Sequence, residues 1–405
     1  MNNVVKAGLG SVLGAPIGIP FGVPHQELVS ITPAPKRPSI PGEDLPRALT
    51  YLADYGGCGY YRCMAPDFLL NLNQRAIVTE ASCMIFEPRM YKTIKAVKFQ
   101  RQATDTQRKF IEELCTIKDK LGFKIIYEVD DVVFAEDIPL YNKNRTAFDV
   151  KNIQDNIRAI LPLVDEITVT TNYFKQYLQN KTGIKNVTSI PNYLMKWWFD
   201  RYYNLGNLIK QYEKNKKRPK ISIFASGTHV DVRNVVNQQD DFEEILPHII
   251  RTRKDYEWHF FGCLPLGLSS YVKDGSIKYT KWVELPEFPE VMHKSESQLT
   301  FAALRDNQFN RCKSNIKLIE AGALGLPCVC PDLNPYEEAD LKYKTGDEFI
   351  DTIKYALKNQ TVYANLCKKA RALSERYWLD SNENLSKHYE AYFTPFGSSN
   401  RTFLT

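Results

Sequence analysis

The sequence predicts an α/β protein built as two doubly wound domains that face each other across a cleft. Three observations predict it. Short apolar runs alternate with segments of helical spacing in both halves of the chain, the pattern of parallel sheets flanked by helices. The alternation is interrupted at residues 195–220 by an aromatic cluster and a basic run. The loops richest in glycine, hydroxyl and charged side chains directly follow predicted strands, and ligands of such sheets sit beyond the strands' carboxyl ends. A chain of 405 residues, 43% hydrophobic and 25% charged, suits two ordinary globular domains.

Residues 1–45 form a Gly/Pro-rich arm, in which residues 16–24 repeat Pro-x-Gly-x. Proline excludes a helix there and removes ladder donors. The arm is read as extended, either draped over its own domain or docking a partner or second subunit. Residues 46–194 make the first domain. Its strands are expected at residues 48–53, 76–78, 96–99, 124–129, 166–170 and 187–190, from apolar and β-branched runs. Helices are expected from Tyr60 onward, over 106–121, where Phe110, Leu114 and Ile117 share one face, and over 172–179. Residues 195–220 are read as the junction. The second domain, 221–375, has strands expected at 221–224, 257–261, 277–279 (short and exposed), 297–302 and 328–330. A helix is expected over 241–253, and a shorter one carries Lys313, Lys317 and Glu320 before Gly325-Leu326-Pro327 stops it. Residues 348–392 read as mostly helical.

Composition narrows the function classes. A formal net charge of +6 is too mild to mark a nucleic-acid binder by itself. The nine cysteines are scattered without a CxxC pair, which suits reduced thiols in a cytoplasmic protein. Cys328 and Cys330 are expected to point to opposite faces of a strand. The six histidines are dispersed, so no zinc site is suggested. Residues 7–24 lack charge, but Gly and Pro interrupt the run, and a secretory leader needs an unbroken apolar stretch. No stable membrane insertion is expected.

Four segments carry chemistry. Residues 306–327 run from a polar, basic loop into a helix and then a strand. A helix N-terminus suits a phosphate. Lys313 and Lys317, one turn apart, would neutralise a diphosphate, with Ser314 between them. Glu320 could accept hydrogen bonds from a ribose diol. The bland alternative is an amphipathic helix with solvated lysines. Ser226, Gly227 and Thr228 follow the first strand of the second domain, where small residues permit close approach and hydroxyls can donate to phosphate. His229 ends that loop as a structural or catalytic histidine. Gly56-Gly57-Cys58-Gly59-Tyr60-Tyr61-Arg62 follows the first strand of all; Gly57 and Arg62 are candidates to meet a phosphate or sugar. The spacing is not G-x-G-x-x-G, so an NAD enzyme is not expected. Asp130 and Asp131 close a hydrophobic strand, as a solvated cap or as a general base. Arg101, also after a strand, and Trp197 and Trp198 are candidates to contact an acceptor. The basic run at 214–220 reads as a solvated linker or a polyanion contact.

From Arg47 to Trp378 these motifs resemble the GT-B glycosyltransferases of the glycogen-synthase-like superfamily, in a branch common in bacteriophages and surface-polysaccharide clusters. The resemblance rests on residues 56–62, 127–131, 226–229, 258–262 and 310–327, and on Trp378 ahead of a late helix. It implies Rossmann-like domains facing a central cleft, with residues 376–405 forming a helix that crosses back, and a tail. It implies sugar transfer from a nucleotide sugar, UDP-linked, with no tightly bound cofactor or essential metal. Lys313 and Lys317 would then offset charge on the leaving diphosphate. The superfamily often has two glutamates separated by seven residues. Glu320 matches the second, but Cys312 stands at the first, which leaves the sugar and the stereochemical outcome open; the superfamily implies retention. The expected acceptor is a 5-hydroxymethylated pyrimidine, such as hydroxymethylcytosine, in double-stranded bacteriophage DNA, reached by base flipping in the host cytoplasm. The alternatives are a lipopolysaccharide or other surface-glycan acceptor, and an inactive sugar-nucleotide or DNA-binding module.

Overall fold

The computed structural model describes residues 44–394. The predicted arm therefore lies outside the described residues except for its last two positions, and so does the tail beyond 394.

Two six-stranded sheets, parallel throughout, form the frame. The first contains β1 (Arg47–Tyr51), β2 (Ile77–Ala81), β3 (Ile94–Gln100), β4 (Lys124–Val129), β5 (Glu166–Val169) and β6 (Val187–Ser189). Their order is β2-β1-β3-β4-β5-β6. The second contains β7 (Lys220–Phe224), β8 (Glu257–Phe261), β9 (Lys278–Thr280), β10 (Leu299–Phe301), β11 (Cys328–Pro331) and β12 (Leu341–Tyr343), ordered β12-β11-β10-β7-β8-β9. The strand order reverses between β1 and β3 in one sheet and between β7 and β10 in the other. Loops leaving those strands diverge there, which opens a crevice at each carboxyl edge. The central strands read as near-continuous apolar runs because helices cover both faces. Every β4 residue from Ile125 to Val129 is buried, Glu128 included.

Local signals set the long helices. Thr104 caps the Asp105–Leu121 helix in a reciprocal box with Gln107, and Gly122 ends it in the left-handed conformation at φ 74°. Residues 241–253 are not one helix. Asp240 accepts from the Asp231 and Phe242 backbone amides at 2.8 and 2.9 Å, so the chain turns there and the helix begins at Leu246. β12, with Lys342 between Leu341 and Tyr343, is a strand not expected from the sequence. Cys328 and Cys330 do not point to opposite faces as expected: residues two apart on a strand share a face, and their sulfurs lie 3.5 Å apart.

The junction is folded. The Leu205–Lys214 helix packs on the second domain, where Tyr212 stacks on Tyr363 at 4.8 Å. The basic run is engaged in part, since Lys214 and Lys220 both reach Glu296. The chain passes between the sheets twice, and the passages lie side by side. Leu194 N donates to Tyr377 O at 2.9 Å and Leu379 N to Leu194 O at 2.8 Å. The last helix, Asn382–Phe393, returns to the first sheet. There Tyr392 Oη bonds Thr50 and Asp67, both at 2.7 Å, and its ring lies 4.5 Å from Lys98 Nζ.

Candidate active site in the cleft between the sheets

The two carboxyl edges enclose a cleft of about 1420 Å³. On its C-terminal side the chain leaves β10 and forms the Ile316–Ala323 helix. Leu318, Ile319, Ala321 and Ala323 are buried. Gly322 lets the helix lie against its neighbour, because a Cβ there would stand 2.4 Å from Ala370 O. The helix is thereby fixed end-on to the cleft. Asn315 at its N-terminus makes no side-chain cap, so the dipole end faces the cavity that Lys313, Ser314, Ile316, Lys317 and Glu320 line.

Each charged group there has a defined partner. Lys313 Nζ lies 3.1 Å from Asp131 Oδ2 and 4.5 Å from the centre of the Phe309 ring. Lys317 Nζ meets His229 Nε2 at 3.1 Å, and His229 Nδ1 meets Asp241 Oδ2 at 2.7 Å. Burial and the neighbouring Lys317 lower His229 to about 4, so it is a neutral imidazole with both nitrogens engaged. The ring lines the cavity and holds a lysine there. Burial and Lys313 lower Lys317 from the usual lysine range. Burial raises Glu320 to about 7, against the opposing influence of Tyr61 and Lys317. Tyr61 Oη donates to Glu320 Oε1 at 2.6 Å across the cleft. Ser226 and Thr228 share a 2.6 Å hydroxyl contact at the end of β7, and both line the cavity. Gly227 stands beside them, nearest to Lys143.

On the N-terminal side the charges are paired more closely. Arg62, expected to meet the donor, is 1% exposed. It forms a two-point ion pair with Glu128 at 2.7 and 3.1 Å and also binds Asn192 Oδ1 at 3.1 Å. Arg62 borders the cavity, and its guanidinium ties the ends of the first sheet's strands together. Arg101 leaves β3 in the left-handed region at φ 49°, and its amide donates to Glu128 O at 3.0 Å. Its side chain reaches Asp54 at 2.6 Å and Asp130 at 3.0 Å. Burial opposes ionisation of Asp130, but Arg101, Cys58 and Arg62 together outweigh it and hold this carboxyl below its ordinary value. Burial raises Asp131, with Lys313 pulling the other way. Gly57, Arg101, Asp130 and Asp131 all line the cavity.

Trp197 and Trp198 do not reach it. Trp198 is buried at 5.0 Å from both the Tyr60 and Phe199 rings, and Trp197 is 40% exposed elsewhere. Trp198 packs as core, whereas Trp197 stays exposed outside the cavity lining. Residues not anticipated from sequence stand in their place. Tyr61 holds Glu320, Tyr141 holds Asp241 and Asp241 holds His229, and Asn192 donates to Ser314 Oγ at 2.9 Å. Trp282, 58% exposed, flanks the cavity next to Phe224 and Phe261, which stack at 4.3 Å. Gly262 permits that approach, since at φ 80° a Cβ would lie 2.5 Å from Ala225 O. These partners lie far apart in sequence, and only the alternation of strands and helices hinted at their convergence.

Two parallel sheets facing across a cleft, with paired crossings and a returning helix, define the GT-B architecture of glycosyltransferases. Sucrose-phosphate synthase from Thermosynechococcus elongatus is similar over 85% of this chain and 98% of its own, with a TM-score of 0.58 at 10% identity. HepE from Anabaena, in complex with UDP and glucose, is similar over 85% and 98%, with a TM-score of 0.56 at 10% identity. TarM from S. aureus is similar over 75% of this chain and 56% of its own, with a TM-score of 0.50 at 11% identity. No protein-family model matches the sequence, and no curated protein matches it. Among the described residues no helix is long and apolar enough to cross a membrane.

Proposed function

We propose that the chain is a glycosyltransferase that moves a sugar from a UDP-sugar to a hydroxyl acceptor. One observation carries this reading: a helix N-terminus without a side-chain cap faces the cleft, with Lys317 and the buried Glu320 on its first two turns and Lys313 in the turn just before it. Backbone N–H groups and two ammonium groups suit a diphosphate, and Glu320 suits a ribose diol. That HepE is seen with UDP and glucose on the same fold supports UDP as the carrier. The cavity exceeds the size of an ordinary small-ligand pocket, which leaves room for an acceptor beside the donor. The bond from the sugar to the diphosphate breaks, a bond to the acceptor oxygen forms, and Asp131 takes the acceptor proton. Asp130 is the poorer base because Arg101 holds it ionised.

For the acceptor, the reading carried from the sequence is a hydroxymethylated pyrimidine in phage DNA. It retains the mild positive charge and the exposed Trp197, loses the buried Trp198, and finds Lys214 and Lys220 of the basic run paired with Glu296. A second reading, a lipid-linked or surface-glycan acceptor, is favoured by exposed Tyr55, Ile85, Phe86 and Met90. These lie on loops whose neighbours Gly56, Cys83 and Met84 line the N-terminal side of the cavity. The test is incubation with a panel of nucleotide sugars and DNA with or without 5-hydroxymethylcytosine, then mass spectrometry of the nucleosides. A sugar mass on the modified base alone supports DNA. Donor hydrolysis without DNA labelling moves the acceptor to the cell envelope. No binding of any uridine nucleotide would end the glycosyltransferase reading.

A further inference from the structure

We propose that Tyr141, Asp241 and His229 form a positioning relay that couples contact between the two domains to the placement of the Lys317 ammonium. The proposal rests on the donor reading of Lys317 given above.

The direction of each hydrogen bond is forced. A lysine ammonium only donates. His229 Nε2, 3.1 Å from Lys317 Nζ, must therefore present its lone pair. The ring proton then sits on Nδ1 and is donated to Asp241 Oδ2 at 2.7 Å. Asp241 is 5% exposed, and its other oxygen is crowded. Oδ1 accepts from Tyr141 Oη at 2.6 Å, Asn310 Nδ2 at 2.6 Å and the Arg305 amide at 3.0 Å. His229 belongs to the loop after β7, and Asn310 and Arg305 to the loop after β10. Tyr141 alone among these groups comes from the first domain. It also receives bonds from Asn307 and Asn310 at 3.3 and 3.1 Å, so one hydroxyl joins both loops flanking the second sheet's switch point. The lowered His229 pKa, caused by burial and Lys317, agrees with the neutral tautomer.

Separation of the domains removes the Tyr141 hydroxyl from Asp241 and from both asparagines. The carboxylate then loses one of its short donors, and the imidazole that orients Lys317 loses its fixed anchor. Lys317 is thus held in its cleft-facing position when the domains are in contact. Tyr141, Asp241 and His229 are positioning residues in this scheme; the group that meets the diphosphate is Lys317.

The test uses the full chain with UDP in calorimetry, UDP-glucose hydrolysis as turnover, and ¹⁵N NMR of the histidine rings. Tyr141→Phe keeps the ring and its packing and removes only the hydroxyl. The expected result is a fall in kcat of about tenfold, with the UDP dissociation constant changed by less than about threefold. His229 in the wild-type chain is expected as the Nδ1–H tautomer, and in His229→Gln the kcat falls by a similar factor. Wild-type turnover in Tyr141→Phe, or a proton on His229 Nε2, would overturn the relay. If the wild-type chain does not bind UDP while Lys317→Met leaves that unchanged, the donor reading fails instead, and the tautomer alone then decides whether the relay exists.

Discussion

The two sides of the cleft handle charge differently. On the N-terminal side each cation lies against carboxylates of the same domain: Arg62 against Glu128, and Arg101 between Asp54 and Asp130. On the C-terminal side Lys317 projects from the Ile316–Ala323 helix and Lys313 from the turn before it, and the acid beside them, Glu320, is raised to about 7 by burial. Lys317 has a neutral imidazole, not a carboxylate, as its partner. One wall pairs its own cations and lends Asp131 to Lys313, and the other holds Lys317 against a neutral imidazole, a position that an anion would complete. A neutral hydroxyl acceptor suits the first and a diphosphate suits the second.

Substitutions can break or sharpen this contrast. The largest effect is expected at Arg62. Arg62→Met leaves Glu128 buried and unpaired, which lowers the unfolding free energy by about 3–5 kcal/mol and leaves UDP affinity of the folded protein unchanged. Urea titration measures it; a loss below about 1 kcal/mol would show that the pair is not what ties the first sheet's edge. Asp131→Asn comes next, lowering kcat by about 10²–10³-fold at near-constant stability, and unaltered turnover would remove Asp131 as the base. Lys317→Met lowers UDP affinity by about ten- to a hundredfold, while uridine affinity stays near wild type. An equal loss for both ligands would mean that the lysine does not meet phosphate.

The smallest effect is a pH dependence. Glu320 is raised in the fold, so the native state binds more protons than the unfolded state between the ordinary carboxyl range and about 7. Stability therefore falls as pH rises through that window. UDP affinity moves the opposite way, because the ionised carboxylate accepts from the ribose diol, and it should rise severalfold between about pH 6 and about pH 8. The phosphate of UDP titrates in the same range, so Glu320→Gln supplies the baseline, and identical profiles would remove Glu320 from the ribose.

The frame of this contrast could be read in the sequence because it is written locally. The apolar runs at β4 and β8 have the bounds expected of them, and the capped helix after β3 starts within a residue of its expected position. Lys317 and Glu320 fall on one helix because their spacing is helical, while Lys313, expected on the same helix, lies in the turn before it and faces the same cavity. What could not be read depends on distance along the chain. Tyr61 and Glu320 are 259 residues apart and Tyr141 and Asp241 are 100 apart. No local pattern marks such pairs. The tryptophans misled for a related reason: aromatic clusters suit either a binding surface or a core, and only the packing of Trp198 against Tyr60 and Phe199 decides between them.

The helix that returns to the first sheet has a consequence for synthesis. The chain emerges from its N-terminal end, so β1 to β6 are made before any of the second sheet, yet Tyr392 is among the last described residues to appear. Until then Lys98 and Asp67 lack the aromatic lid that covers them. The second sheet, made entirely between the two crossings, needs no later segment to pair its strands. On the ribosome the domain begun first is thus the domain finished last, and an arrested chain ending before the final helix exposes the first domain's buried charges to protease while the second is already closed.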